Sequence, residues 1–266
     1  MFRSFFKNLS NDASFRERVL KAARKMYPEV VFEAPANDPV VVVANEFQIG
    51  LGNLKAKFEQ SDRSQEAFEA LVEEHINLIF QGEPVVPDFS LARPKLRPQL
   101  MPSGYGERTP LIAFPFGRTL AIGIVMDSEN AYSYLKCEDA ERWNRSHGEL
   151  LEVATANLDE ASRKMPMQFM SKDETNWVGI EMKDGFDAAR IVLPKLREFL
   201  ASRLGSPFRF GVPNRDFLIC WNAGASAEFV EGTATKLRND FEEQPYPLSP
   251  YVFEVSADGT FTEMTE

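Results

Sequence analysis

Three charged residues stand where apolar strands end and the chain turns. Asp127 closes L-A-I-G-I-V-M-D, while Arg215 and Asp216 sit between the apolar arms of P-F-R-F-G-V-P-N-R-D-F-L-I-C-W (207–221). Loop residues carried on a rigid sheet are where binding and catalytic groups concentrate. Asp127, Arg215 and Asp216 are therefore the candidate binding residues for a small ligand or substrate. The competing reading of Arg215 and Asp216 is an ion pair that closes the turn, a contact that contributes little when it lies on the surface.

Stronger reaction signatures are missing from the chain. It has no G-x-x-x-x-G-K-[ST] phosphate loop and no H-E-x-x-H, and with His75 and His147 as its only histidines a histidine-rich metal site is excluded. Gly50 and Gly52 are spaced as in a dinucleotide loop, but Lys55 stands where the third glycine belongs. G-A-S-A-E (224–228) lacks the final glycine of a nucleophile elbow, and Ser226 reads instead as a helix N-cap. Cys137 and His147 are linked only by closeness in sequence, and Cys220 lies inside an apolar run, so both cysteines read as reduced thiols. No catalytic residue, cofactor or metal is assigned, and whether the chain is an enzyme stays open.

Composition narrows the class. With 266 residues, 44% of them hydrophobic and 22 of them phenylalanine, the chain can bury a sizeable core. Thirty Lys and Arg against forty Asp and Glu give a net charge of -10, which disfavours a nucleic-acid partner. No apolar stretch reaches the roughly 18 residues of a membrane span, and M-F-R-S-F-F-K is no signal-peptide core. A cytoplasmic protein is the expectation.

The elements that must position these charges emerge from hydrophobic period and turn chemistry. Residues 1–27 read as a basic amphipathic helix, with Phe15, Val19, Ala23 and Met26 on one face and Asn11 or Asp12 as its cap. Residues 29–33 and 40–44 read as an antiparallel strand pair, and residues 64–80 as a helix burying Phe68, Val72 and Ile76. His75, beside that stripe, reads as a hydrogen-bonded residue. The prolines from 82 to 110 predict an extended connector with no regular element.

Beyond it, residues 111–116 and 120–126 predict strands around Gly117 and Arg118. A helix over 149–164 carries Asn157 within its apolar stripe, where it needs a backbone partner. Residues 177–182 and 187–193 predict a hairpin across K-D-G-F, followed by a helix from Pro194 to a stop at Gly205. Phe208, Phe210 and Val212 alternate as in a half-buried strand, and the apolar run 217–221 suits a strand covered on both faces. A helix over 226–243 and a terminal strand pair complete the reading. The predicted class is α+β, a largely antiparallel or mixed sheet with packed helices. It comprises a small α+β N-terminal domain (1–81), the connector (82–110) and an α+β C-terminal domain (111–266).

Three phrases together, G-L-G-N-L-K-A-K-F (50–58), V-P-N-R-D-F-L (212–218) and P-Y-P-L-S-P-Y-V-F (245–253), resemble the YtpQ-like family of uncharacterised bacterial proteins, a domain of unknown function. I-V-M-D-S (124–128), E-R-W with A-N-L (156–158), and D-G-F-D-A-A-R (184–190) are similar to the same pattern, in the same order, over nearly the whole chain. The one departure is Lys55 and Lys57 in the segment where the family carries an aromatic. The resemblance implies a cytoplasmic bacterial α+β protein and carries over no catalytic residue. The expected function is a non-catalytic protein-interaction module that binds another protein through the connector and the face near Arg215. The alternative is a small-ligand-binding protein or enzyme with its pocket near Asp127 and Arg215.

Overall fold

The structure is a computed structural model, and it describes residues 2–34, 41–44, 47–80, 87–105, 110–127, 132–244 and 246–264. The loop after Ala34, together with Pro84, Ser128 and Pro245, lies outside the described residues. The chain divides into two compact units, Met1–Val85 and Val86–Glu266. Both combine helices with antiparallel strands, an α+β fold.

In the first unit, helix α1 (Phe2–Met26) precedes strands β1 (Phe32–Glu33), β2 (Val41–Ala44) and β3 (Phe47–Gly50) and helices α2 (Gly52–Gln60) and α3 (Gln65–Phe80). The V-V-V-A strand is central, in the order β1-β2-β3, as its β-branched run predicts. Asn11 and Asp12 lie within α1 rather than at its start, because the helix already begins at Phe2. Val19 and Ala23 of α1 pack with Phe68, Val72 and Ile76 of α3.

His75 Nε2 lies 2.9 Å from the Gly50 carbonyl, to which it donates as the neutral tautomer. Burial pushes its imidazole below the ordinary histidine range, and the nearby Lys57 adds to this against the Gly50 bond and Glu74. A depressed histidine gives stability that is present above the unfolded value and lost as pH falls toward the folded one. Acidification from about pH 7.5 to about 5.5 is therefore expected to lower the protection factors of the α3 amides, each exchange rate being taken relative to the intrinsic rate at the same pH. In His75→Gln, which keeps a donor without a titration, that pH dependence should flatten; an unchanged slope would remove His75 as its source.

The second unit opens with a short helix, α4 (Phe89–Ala92), and a 3-10 turn (Arg93–Lys95) that leads into strand β4 (Leu96–Pro102). Strands β5 (Ala113–Phe116), β6 (Leu120–Asp127) and β7 (Tyr132–Tyr134) join it in one antiparallel sheet with β6 between β4 and β5. The expected connector is thus corrected: residues 96–102 are a strand registered along β6, from Leu96 opposite Met126 to Pro102 opposite Leu120. Proline is accommodated because β4 pairs on one side only among the described residues, so the missing N–H of Pro98 can face the open edge.

Helices α5 (Cys137–Trp143) and α6 (His147–Ser162) come next; α6 is capped by Ser146, whose Oγ accepts from Glu149 N at 3.2 Å. Asn157 Nδ2 donates to the carbonyls of Arg93 (2.7 Å) and Leu96 (3.0 Å), the backbone partners its place in the stripe demands. Ile112, Ile124 and Leu135 pack with Ala140, Leu150 and Ala154 of α5 and α6.

The larger sheet holds β8 (Met170–Lys172), β9 (Thr175–Ile180), β10 (Phe208–Gly211), β11 (Leu218–Asn222), β12 (Val252–Val255) and β13 (Phe261–Met264), in the order β13-β12-β10-β11-β9-β8. Between β9 and β10 runs helix α7 (Pro194–Leu204), and between β11 and β12 runs α8 (Ala227–Glu243). The hairpin read from Phe208 to Trp221 is the centre of this sheet. Leu196, Leu200 and Leu204 of α7 pack with Val178, Phe210 and Cys220 on one face, while Phe229 of α8 meets Trp177 and Trp221 on the other.

The predicted hairpin over 177–182 and 187–193 does not form. Residues 188–192 are a 3-10 helix, and β9 pairs instead with β8 and β11. The cause is local: Asp187 accepts the amides of Met182 and Lys183, both at 2.8 Å, and curls the chain back on itself. At the opposite edge, Glu263 Oε2 accepts from Arg118 N, Thr119 N and Thr119 Oγ1, each at 3.1 Å, tying β13 to the turn between β5 and β6.

Candidate functional site

Arg215 is only 8% exposed. Its turn is built by Asn214, whose Oδ1 accepts from Asp216 N at 3.0 Å, and is fastened on two sides. Arg215 N donates to Tyr246 O (3.1 Å), and Ala188 N donates to Arg215 O (3.0 Å). The guanidinium closes on Asp216, Nε to Oδ1 at 2.9 Å and Nη2 to Oδ2 at 3.1 Å, and lies 3.7 Å from the centre of the Tyr246 ring. Burial works against its charge, but the Asp216 hydrogen bond and the neighbouring Tyr132 hold it protonated above the ordinary arginine value. This is a turn-closing pair with its arginine buried and its carboxylate about one third exposed.

Asp127 ends β6 opposite Tyr132, and the Tyr132 ring centre lies 5.9 Å from the Arg215 guanidinium. Half-buried Arg97 is held below the ordinary arginine value by desolvation, which Asp127 and Asp184 oppose.

A second arginine, which sequence reasoning assigned no role, is buried more completely. Arg190 is 1% exposed; Nη1 donates to Asp184 Oδ1 (2.8 Å) and Asp187 Oδ1 (3.1 Å), and Nε donates to Ser162 Oγ (3.1 Å). Burial opposes the ionisation of Asp184, but the bond and charge of Arg190 outweigh it and hold that carboxyl below the usual range. At Asp187 burial dominates and pushes the carboxyl up, against its two backbone donors and Arg190. The phrases D-G-F-D-A-A-R, V-P-N-R-D and P-Y-P-L-S therefore meet in space: Ala188 bonds to Arg215, Arg215 to Tyr246, and Leu248 N to Pro213 O at 2.9 Å. No protein-family model, curated protein or solved structure matches the chain.

Among the described residues no three His, Cys, Asp or Glu side chains converge as a metal site requires, and no helix is long and apolar enough to cross a membrane. Two shallow depressions, of about 400 and 550 Å³, lie against Lys57, Leu71 and Glu74 and against Asn144, His147 and Glu149. Neither is lined by Asp127, Arg215 or Asp216.

A group of exposed apolar side chains lies at the β8 rim of the large sheet. Met170 is 42% exposed and Phe199 of α7 is 40% exposed, with the Phe169 ring nearly perpendicular to Phe199 at 5.9 Å. Met165, Met167 and Phe169 are partly buried against the core beneath. They lead directly into β8, whose three residues are all exposed and which ends the sheet on that side. The available signal in the sequence was M-P-M-Q-F-M (165–170): three methionines and a phenylalanine in six residues. Methionine is flexible and polarizable, and such side chains serve adaptable binding surfaces as readily as cores.

Proposed function

We propose that this chain is a non-catalytic protein-interaction module. The observation that carries this reading is the exposed Met170 and Phe199 beside the edge of β8, which pairs with no further strand among the described residues. Large apolar side chains grouped at an open sheet edge favour association, because both the side chains and the free backbone groups gain from being covered. The YtpQ-like resemblance, a bacterial origin and a cytoplasmic setting belong to the same proposal. The contact face is moved from the connector and Arg215 to this edge, since residues 96–102 are built into a sheet and Arg215 is closed on Asp216.

The test is quantitative capture by the immobilised full chain from an extract of its source cells, alongside the double variant Met170→Ser/Phe199→Ser. Both side chains are exposed, so the variant should fold. A stoichiometric protein partner is expected on the parent chain, with at least tenfold less on the variant. A small molecule released from the eluate with no protein partner would instead support the second reading, a ligand pocket near Asp127 and Arg215. That reading has one observation behind it: Tyr132 stands opposite Asp127 in the ladder and its ring centre lies 5.9 Å from the Arg215 guanidinium.

A further inference from the structure

The edge that ends in β8 also carries information about what it binds. Lys172 and Thr175 close a two-residue turn over Asp173 and Glu174, with Ser171 opposite Asn176 and Met170 opposite Trp177. Asn176 N points away from β8, donating to Asn222 Oδ1 at 2.8 Å. Ser171 and Asn176 are therefore a non-hydrogen-bonded pair, and in such a pair the N–H and C=O of each strand face outward. Ser171 thus presents a donor and an acceptor on the open side of the sheet, with no partner for either among the described residues.

Apolar groups flank that line on both faces. Met170 shares the face of its partner Trp177, which Phe229 of α8 covers. Phe169 and Phe199 stand on the face of α7. The local charge is opposite to that of the whole. Residues 163–172 contain Arg163, Lys164 and Lys172 and no acid, in a chain of net charge -10. Arg203 of α7 lies 4.9 Å over the Phe169 ring. The nearest acids in sequence are Glu160, paired with Arg163 at 2.7 Å, and the turn residues Asp173 and Glu174.

We propose that β8 accepts an extended acidic peptide segment of a partner protein as a seventh strand. Its backbone pairs with Ser171, its apolar side chains cover Met170 on one face and Phe169 with Phe199 on the other, and its carboxylates face Lys164, Lys172 and Arg203. Main-chain pairing gives such additions their affinity, and alternate side chains together with flanking charge give their specificity. The inference rests on the interaction-module reading and names the chemistry of its partner.

The probe is a fluorescent ten-residue peptide in which pairs of valines alternate with pairs of glutamates, so that each face of the extended strand carries both, titrated against the full chain. Comparison peptides carry lysine for glutamate, or N-methyl groups on every central amide so that neither edge can donate. Binding to the glutamate peptide is expected, at least tenfold weaker for the lysine and N-methyl versions, and weakening with added salt. Ser171→Pro removes only an outward N–H and should lose binding by a similar factor while keeping the parent melting temperature.

Equal binding of the N-methyl peptide, or undiminished binding by Ser171→Pro, overturns strand addition. Equal or tighter binding of the lysine peptide, or no binding of the glutamate peptide at its solubility limit, overturns the acidic partner. In any of these cases a captured protein that depends on Met170 and Phe199 leaves the module reading standing. A dimer in sedimentation that Ser171→Pro dissolves would assign the edge to a second copy of this chain and overturn the proposal.

Discussion

Arg190→Met is expected to destabilise the protein by about 3–5 kcal/mol, read as a lower denaturant midpoint at unchanged slope. The substitution keeps a long side chain in a site that is 1% exposed but withdraws the donors that serve Asp184, Asp187 and Ser162. Asp187, itself fully buried, would keep only the Met182 and Lys183 amides. The large cost comes from Asp187 left behind in a fully buried position, because removing one partner of a buried pair strands a charge, whereas the Asp184 side chain is 43% exposed and can be hydrated.

Arg190→Lys separates charge from geometry. A single ammonium cannot span both carboxylates and the serine hydroxyl, so it should restore only part of the loss. The pH dependence comes from Asp184, held below the usual carboxylate range. Its contribution is present above the unfolded value and lost as pH falls through the folded one, so the gap between parent and Arg190→Met should narrow on acidification. A loss under about 1 kcal/mol would mean that the pair is as replaceable as a surface one.

The same network shows where the sequence stopped being legible. The D-G signal at Asp184 and Gly185 marks a real turn, with Gly185 at φ 82°. The path of the chain beyond that turn cannot be read from a dipeptide. It is pinned by Asp187 to two amides behind it and by Ala188 to Arg215, a distant partner in sequence. Residues 188–192 therefore curl where their apolar run predicts a strand. The prolines of 94–102 misled in the other direction: proline argues against a central strand, and β4 is an edge.

The readings that held rest on strong local period or fixed backbone chemistry. Phe208 and Phe210 alternate on β10, Pro194 opens α7, Gly205 ends it at φ 88°, and Asn157 finds its carbonyls. For the site, the chain shows that Arg215 and Asp216 share a turn, but burial is a property of the segments that cover it. Tyr246 and Ala188 come from distant phrases, so a buried pair and an open binding pair look alike until they are placed. The edge patch was hidden for a related reason, since a methionine-rich run does not show which strand of a sheet it forms or whether that strand is covered.

Phe210→Ala is expected to cost about 3–5 kcal/mol, the range for removing a fully buried aromatic ring. Phe210 is 0% exposed on β10, with Cys220 opposite it on β11 and Phe253 on β12. Its ring stacks on Phe253 at 5.0 Å and 13°, meets Phe261 edge-on at 6.0 Å, and lies 6.4 Å from Phe116 of the other sheet. Deleting it opens a void among groups held by two sheets, where neither can collapse without moving the other.

Trp221→Phe, one residue beyond Phe210's partner Cys220 on β11, is the informative contrast. Trp221 is equally buried, yet its Nε1 has no hydrogen-bond partner among the described residues. The substitution removes volume and an unpaired buried donor together, and these effects oppose each other, so its cost should stay below about 2 kcal/mol. Equilibrium denaturation of the two variants in parallel decides the matter. If Trp221→Phe costs as much as Phe210→Ala, packing alone governs this core, and the unpaired indole carries no penalty worth relieving.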